Sequence, residues 1–416
     1  MCVHVLEHYT MKSTQQLTHP EAKRALDEMF DHMVTGIDLA EPRHAPREVM
    51  ITDEGLTEFG FSLALTTAEL DHYKKVAQTV LVECIQPLAN AKNIARIVLS
   101  ENHLFSSGRH DRGFDLVVLM HPDEDVQSTG NSIRANVGVL TSGTVGAVAA
   151  GFEEKVPHSP GPHIVHFDHE DVHVQIAVGH WYGADQCQIV YKKIEELDAA
   201  GTLKKVHLDQ FAIDLFDAQA QFMRTEVVHE PHGENEKFVH GALRLARAWR
   251  HCNLSHRDIQ FSPFDAWLVM LHAVQTELMK PQTETREKAA GIGGAVSGIR
   301  KSIKELLKGH GVTGKIQAGG HEISMKAVFR EFLNQLSHID EMNIQHAHEK
   351  IPQWILTQRP LILDPVCPYR NTVFNLHKRV NDDLKKHASE SLKMLDDPHA
   401  TLPKLFPVPT HKKRGA

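Results

Sequence analysis

The sequence predicts an α+β chain in which a mixed α/β lobe precedes a largely helical lobe. Three observations carry this. Residues 115–120, Asp-Leu-Val-Val-Leu-Met, form a β-branched apolar run, the pattern of a buried strand. Residues 163–179 alternate apolar and polar over much of their length, as a strand pair does. Beyond about residue 190, apolar residues recur at helical spacing instead.

Taken in order, residues 1–50 are polar, and a first helix is expected from Pro20 to Val34. Thr66 and Glu69 form a capping-box pattern ahead of a long helix. Its apolar positions include Leu70, Tyr73, Ala77, Val80, Leu81, Cys84 and Leu88. Ala95 to Leu99 reads as a strand. Phe105-Ser106-Ser107-Gly108 follows as a turn before the strand at Asp115. Residues 121–155 have no steady pattern and are Gly-rich at 138–151. The 163–179 segment reads as one hairpin turning at Asp168 to Asp171. Helices are expected at 207–224, 236–252, 263–279 and 324–337. Between them, 281–320 is rich in Gly, Lys and polar residues and has no apolar period beyond 299–308, so it reads as an inserted loop. A last helical pattern over 372–396 carries Val373, Leu376, Val380, Leu384, Leu392 and Leu395. The expected organisation is an N-terminal extension (1–50), an α/β lobe (51–200), a helical lobe (201–400) interrupted at 281–320, and a basic tail (401–416). A cleft between two such lobes is the natural ligand site.

Composition narrows the partners. A net charge of -8 with His neutral argues against a strongly basic nucleic-acid binder, although a local basic groove fits within it. The 31 His would add positive charge below about pH 6 if they titrate normally. Five scattered Cys without a CxxC pair fit a reducing compartment, cytoplasmic or nuclear, better than a disulfide framework. Met1 to Thr10 carries His and Glu where a signal peptide needs an apolar run, and no stretch approaches the 18 apolar residues of a membrane span. The terminal His411-Lys412-Lys413-Arg414 reads as a solvated tail.

Three segments, in order, resemble the oligoadenylate synthetase and cyclic-dinucleotide synthase branch of the nucleotidyltransferases. The first is Phe105-Ser106-Ser107-Gly108 followed by Gly113-Phe114-Asp115-Leu116-Val117-Val118. The family has a Gly-Ser turn there and then a strand with two acids one residue apart. The second is Gly241 to Arg250, similar to a family helix that carries a basic residue toward the donor triphosphate, with Arg247 at that place. The third is Arg359-Pro360-Leu361-Ile362-Leu363-Asp364-Pro365 with Pro368 and Asn371, which is the most distinctive. The resemblance spans about residues 65–380. It implies a bilobal nucleotidyltransferase fold, ATP or GTP as ligand, Mg²⁺ or Mn²⁺ as ion, and a place in innate immunity. Degenerate relatives that partner double-stranded-RNA proteins share the Asp-Leu-Val-Val strand, so double-stranded RNA and a homo- or heterodimer through the helical lobe are also implied. A dimer face would show as an apolar patch on residues 205–280.

The chemistry of that family needs carboxylates. Nucleotidyl transfer uses two ions about 3.5–4 Å apart to activate the attacking hydroxyl and neutralise the leaving pyrophosphate. Mg²⁺ takes hard oxygen ligands, and two acids at i, i+2 on a strand share one face. Here Gly113 replaces the first acid, Asp115 keeps the second, and Gln175, in Val172 to Ile176, falls where the third belongs. Phe105 stands where the family has Gly. Asp111 and Asp171 lie four residues from Asp115 and Gln175, roughly 13 Å away on a strand and too far to share an ion. Asp115, His173 and Gln175 are left as a set for one softer ion. Ser106 and Ser107 are the expected phosphate contacts. Phe264 or Trp267, in Ser262 to Trp267, is placed to stack on a base, while an aromatic in a helix more often fills a core. Arg247 lies between Arg244 and Arg250, so a solvated or ion-paired face is an equal reading. On the hairpin, His163 and His169 are candidates to face each other around a metal, and His251, Cys252 and His256 form a second weak cluster. Composition bias explains both more simply. The expected function is a catalytically inactive or impaired nucleotidyltransferase-fold protein that binds RNA, a nucleotide or a protein. The alternative is an active template-independent enzyme, making oligoadenylate or a cyclic dinucleotide, with altered metal ligation.

Overall fold

The computed structural model describes residues 46, 48–63, 67–89, 94–101, 113–142, 164–227, 234–254, 261–279, 315–318, 321–345, 351–374 and 376–407. The expected helix from Pro20 to Val34, Thr66 of the capping box, Ser106 and Ser107, the 299–308 stretch and the basic tail lie outside these residues. The chain divides into two units. One holds the described residues between 67 and 221. The other holds those up to 63 and those from 222 onward.

The chain enters the second unit first, through α1 (Asp53–Ser62). Thr52 caps it, its hydroxyl accepting the Gly55 N–H at 3.0 Å. The first unit then begins with α2 (Thr67–Val80), which runs through a π turn (Leu81–Ile85) into α3 (Gln86–Ala89). This accounts for the long apolar period read between Leu70 and Leu88.

A four-stranded sheet in the order β1-β2-β4-β3 forms the centre of this unit. β1 (Ile94–Glu101) runs antiparallel to β2 (Gly113–Met120), and β2 runs parallel to β4 (Val172–His180). β3 (Ile164–His169) pairs antiparallel with β4. The β3–β4 turn is tighter than expected. Asp168 and His169 are already in the strand, and Glu170 and Asp171 alone make the loop, at φ 47° and 66°. Two positive-φ residues give the turn whose twist matches a hairpin. On one face of the sheet Phe114, Leu116, Val118, Met120, Val174, Ile176 and Val178 are closed to solvent, each burial contributing about 1.5–3 kcal/mol for a large apolar side chain.

Between β2 and β3 lies an unexpected helix, α4 (Val126–Ser142), in a segment read as patternless. Its Gly, Ser and Val content lowers helix propensity. The buried stripe is narrow: Thr129, Gly130, Ile133 and Val137. Asp125 starts it by accepting the Gln127 N–H at 2.9 Å. After β4 come α5 (Gln186–Ala199), α6 (Lys205–Asp214) and α7 (Phe216–Val227). The single helix expected over 207–224 is broken at Leu215, which caps α6. A buried ion pair ties the unit together: Arg96 Nη1 donates to Asp217 Oδ2 at 2.9 Å, with the guanidinium 4.7 Å from the centre of the Trp181 ring.

The second unit continues with α8 (Glu234–Asn253) and α9 (Pro263–Met279). β5 (Lys315–Ala318) and β6 (His321–Ser324) form a hairpin, so the end of the stretch read as a loop is a strand. Ile316 opposite Ile323 sets its register. α10 (Met325–Ser337) follows, then β7 (Asn343–Ile344), α11 (Gln353–Leu356), β8 (Leu361–Ile362), α12 (Lys378–Asp396) and α13 (Leu402–Leu405). α12 starts later than the apolar period suggested. Residues 371–373 are drawn off to β8, the Thr372 N–H donating to the Ile362 carbonyl at 2.9 Å. In the core Trp249 meets Phe332 edge-on at 5.7 Å, and its indole N–H donates to Ser391 Oγ at 2.9 Å. α1 crosses α8 backbone to backbone: a Cβ on Gly60 would stand 2.8 Å from the Gly241 carbonyl oxygen.

Candidate functional site

The strand registers build the site. β2 and β4 are parallel and in step, so Gly113 pairs with His173 and Asp115 with Gln175. β3 adds Asp168 opposite His173 and His166 opposite Gln175. Side chains alternate along a strand, so these residues share one face of the sheet. The result is two short polar rows, Asp115–Gln175–His166 and Gly113–His173–Asp168, with Ser100 of β1 opposite Asp115 on its other side. The i, i+2 reading of Gly113 and Asp115 and the placing of Gln175 beside Asp115 agree with this geometry.

The face is closed at β2 and β4. Asp115 and Gln175 are each 1% exposed and His173 is 6% exposed. Asp168 Oδ1 lies 2.8 Å from His173 Nδ1. A carboxylate only accepts, so Nδ1 carries the hydrogen when Asp168 is ionised, and the ring is held in one orientation. The His166 and His173 rings stack with centres 5.9 Å apart and planes 19° apart. Gln175 is different. Neither its amide nitrogen nor its amide oxygen meets a hydrogen-bond partner, and both atoms are shut off from solvent. A buried amide with both ends unmet is uncommon in a folded protein.

The two-ion site of the resemblance does not fit these residues. Asp115 is the one carboxylate in its row, Gly113 offers no ligand, and Gln175 is neutral; the other carboxylate of the face, Asp168, is exposed and paired with His173. Among the described residues no group of three or more His, Cys, Asp and Glu is arranged to hold a metal ion. The histidine pairing is also not the one expected. His169 lies opposite Val172, His163 is outside the described residues, and the rings that meet are His166 and His173. His256 of the second cluster likewise lies outside the described residues.

The remaining expected residues belong to the second unit. Arg247 is 3% exposed on α8, which removes the solvated-face reading. Phe264 and Trp267 on α9 are core positions, 2% and 1% exposed. The distinctive third motif is a structural knot. Asp364 is fully buried and accepts the Val366 and Cys367 N–H groups at 2.9 and 3.1 Å and Arg370 Nη1 at 2.9 Å. Asn371 Oδ1 accepts the Ile362 and Val373 N–H groups, and its Nδ2 donates to Gln358 Oε1 and the Pro360 carbonyl.

Sequence reasoning also missed a buried acid beside β4. Asp214, at the end of α6, lies against the far end of β4, where a Cβ on Gly179 would be 2.8 Å from its Oδ1. That oxygen accepts the His180 N–H at 2.9 Å and Gln210 Nε2 at 3.0 Å. Burial pushes its carboxyl above the usual range, against the pull of His180, Gln210 and Lys193. Burial, and then the charge of Asp214, also raise the Tyr182 phenol, which accepts from Lys193 Nζ at 2.6 Å. An Asp at the end of an ordinary amphipathic pattern gave no sequence signal of this.

No family model matches the chain, and no curated protein matches its sequence. Solved structures do resemble it. The structure of E. coli MS115-1 CdnC with ATP matches at 12% identity and a TM-score of 0.47, covering 83% of this chain and 92% of that one. The E. coli MS115-1 CdnC:HORMA-deltaN complex matches at 12% identity and a TM-score of 0.43, covering 80% and 86%.

Proposed function

We propose that this chain is a nucleotidyltransferase-fold protein that binds a nucleotide at the Asp115 face and does not carry out two-ion nucleotidyl transfer. The register of β2 with β4 supports the reading: it pairs Asp115 with Gln175 and Gly113 with His173, a carboxylate-poor arrangement at the strands where the resemblance implies three acids. One carboxylate does not hold two divalent ions beside a triphosphate. ATP or GTP is the proposed ligand, with Mg²⁺ or Mn²⁺ carried on the triphosphate. Double-stranded RNA is disfavoured by the net charge of -8. A dimer through the helical lobe finds little support. Among the described residues of 205–280, Val206 is the one large hydrophobic that is exposed. No helix among the described residues is long and apolar enough to cross a membrane.

The test mixes purified protein with ATP and GTP, Mg²⁺ or Mn²⁺, with and without double-stranded RNA. Product is sought by chromatography, and nucleotide binding by calorimetry. Binding without oligonucleotide or cyclic product is expected; product in any lane sinks the proposal. The second reading, an active enzyme with altered ligation, is favoured by one observation. His173, oriented by Asp168, stands beside Gly113, where an acid is missing. That reading requires product formation, and its loss in Asp115→Ala with the fold kept.

A further inference from the structure

We infer that Gln175 reads the edge of an adenine base, which the stacked imidazoles of His166 and His173 support from its face. This rests on the nucleotide-binding reading above and goes further by naming the group recognised. Gln175 is the most telling residue of the face, because both ends of its carboxamide are buried without a partner. Such an amide is a standing cost to folding, and an apolar side chain of the same length would avoid it. A group kept at a cost to stability is characteristic of a binding site.

The chemistry of the row selects the ligand. A carboxamide offers one donor and one acceptor side by side, which matches adenine N7 and N6–H₂ in a bidentate pair. Asp115, directly across the strand from Gln175, only accepts when ionised, so it takes the second N6 hydrogen. On its N7 edge guanine shows two acceptors, O6 and N7, which Asp115 repels. The opposite neighbour of Gln175 is His166, whose ring lies nearly parallel to that of His173. Single bases are recognised in this way, stacked on an aromatic or imidazole ring and hydrogen-bonded along an edge. Gly113, opposite His173, contributes no side chain to the row. Asp115 and Gln175 are closed to solvent, whereas His166 is half-buried and Asp168 is exposed, so the base reaches the row from the β3 side.

The experiment is calorimetric titration of the full chain with ATP, purine riboside triphosphate (which lacks the exocyclic amine) and GTP. It uses wild type and Gln175→Met, with denaturation curves for both. Wild type is expected to bind ATP about tenfold to a hundredfold more tightly than the other two, the span for one bidentate base contact. Gln175→Met, which keeps length without polarity, is expected to fold with a raised unfolding midpoint and to lose that preference. If Gln175→Met folds and still prefers ATP to the same degree, the inference falls and the nucleotide-binding reading stands. Equal wild-type affinity for all three nucleotides has the same meaning. If wild type binds none of the three, both fall.

Discussion

Introducing a second carboxylate opposite Asp115 tests the register on which the functional reading depends. In Gln175→Asp two carboxylates would face each other across paired strands, which lie about 4.8 Å apart. Two like charges about 5 Å apart repel by about 3 kcal/mol at an effective dielectric constant near 20. Gln175→Asn is the control, since it shortens the side chain equally without adding charge. Urea denaturation at neutral pH should place the Asp variant about 3 kcal/mol below the Asn variant. Two conditions should close that gap. Acidification lets the pair share a proton, because like charges raise one of the two pKa values. Millimolar Mn²⁺ supplies the counter-charge, and adding Gly113→Asp should strengthen that rescue. Equal stability of the Asp and Asn variants at neutral pH would show that residues 115 and 175 do not share a face, and the account of the missing metal ligands would fail with it.

Other consequences can be measured on the same protein. Arg96→Met takes the ion-pair partner from the buried carboxylate of Asp217, leaving neutral donors such as Gln221, and a loss of about 3 kcal/mol is expected by denaturation. Asp214→Asn removes a carboxyl whose folded pKa is raised. In wild type that group favours the fold below its unfolded pKa and loses this contribution as pH rises through the folded value. The stability of the variant relative to wild type should therefore grow from about pH 4 upward and then level off, and a pH-independent difference would contradict the assignment. Gly60→Ala sets a methyl 2.8 Å from the Gly241 carbonyl, so α1 and α8 must part, and a loss of about 1–3 kcal/mol is expected in thermal or urea unfolding.

The sequence determined what depends on neighbouring residues. The apolar run at 115–120 made β2, alternation made the β3–β4 pair, and helical period made α8, α9 and α10 within a residue or two. The i, i+2 relation of Gly113 and Asp115 follows from strand geometry alone. α4 escaped because its Gly and β-branched residues blur a stripe only one residue wide. Leu215 broke a helix whose apolar period ran on without a signal. The tertiary structure decided what depends on distant pairing. β2 and β4 are nearly 60 residues apart in the chain, so which side chain faces Asp115 was fixed only when buried faces on both strands locked the register. The meeting of His166 with His173 and the clasp of Asp168 come from the turn at Glu170 and Asp171, one dipeptide tighter than alternation could show. The third motif, the most recognisable in the sequence, proved to hold its own backbone through Asp364 and Asn371. Gln175, an ordinary residue in sequence, became the unusual one, because burial is a property of the packed sheet and not of the chain.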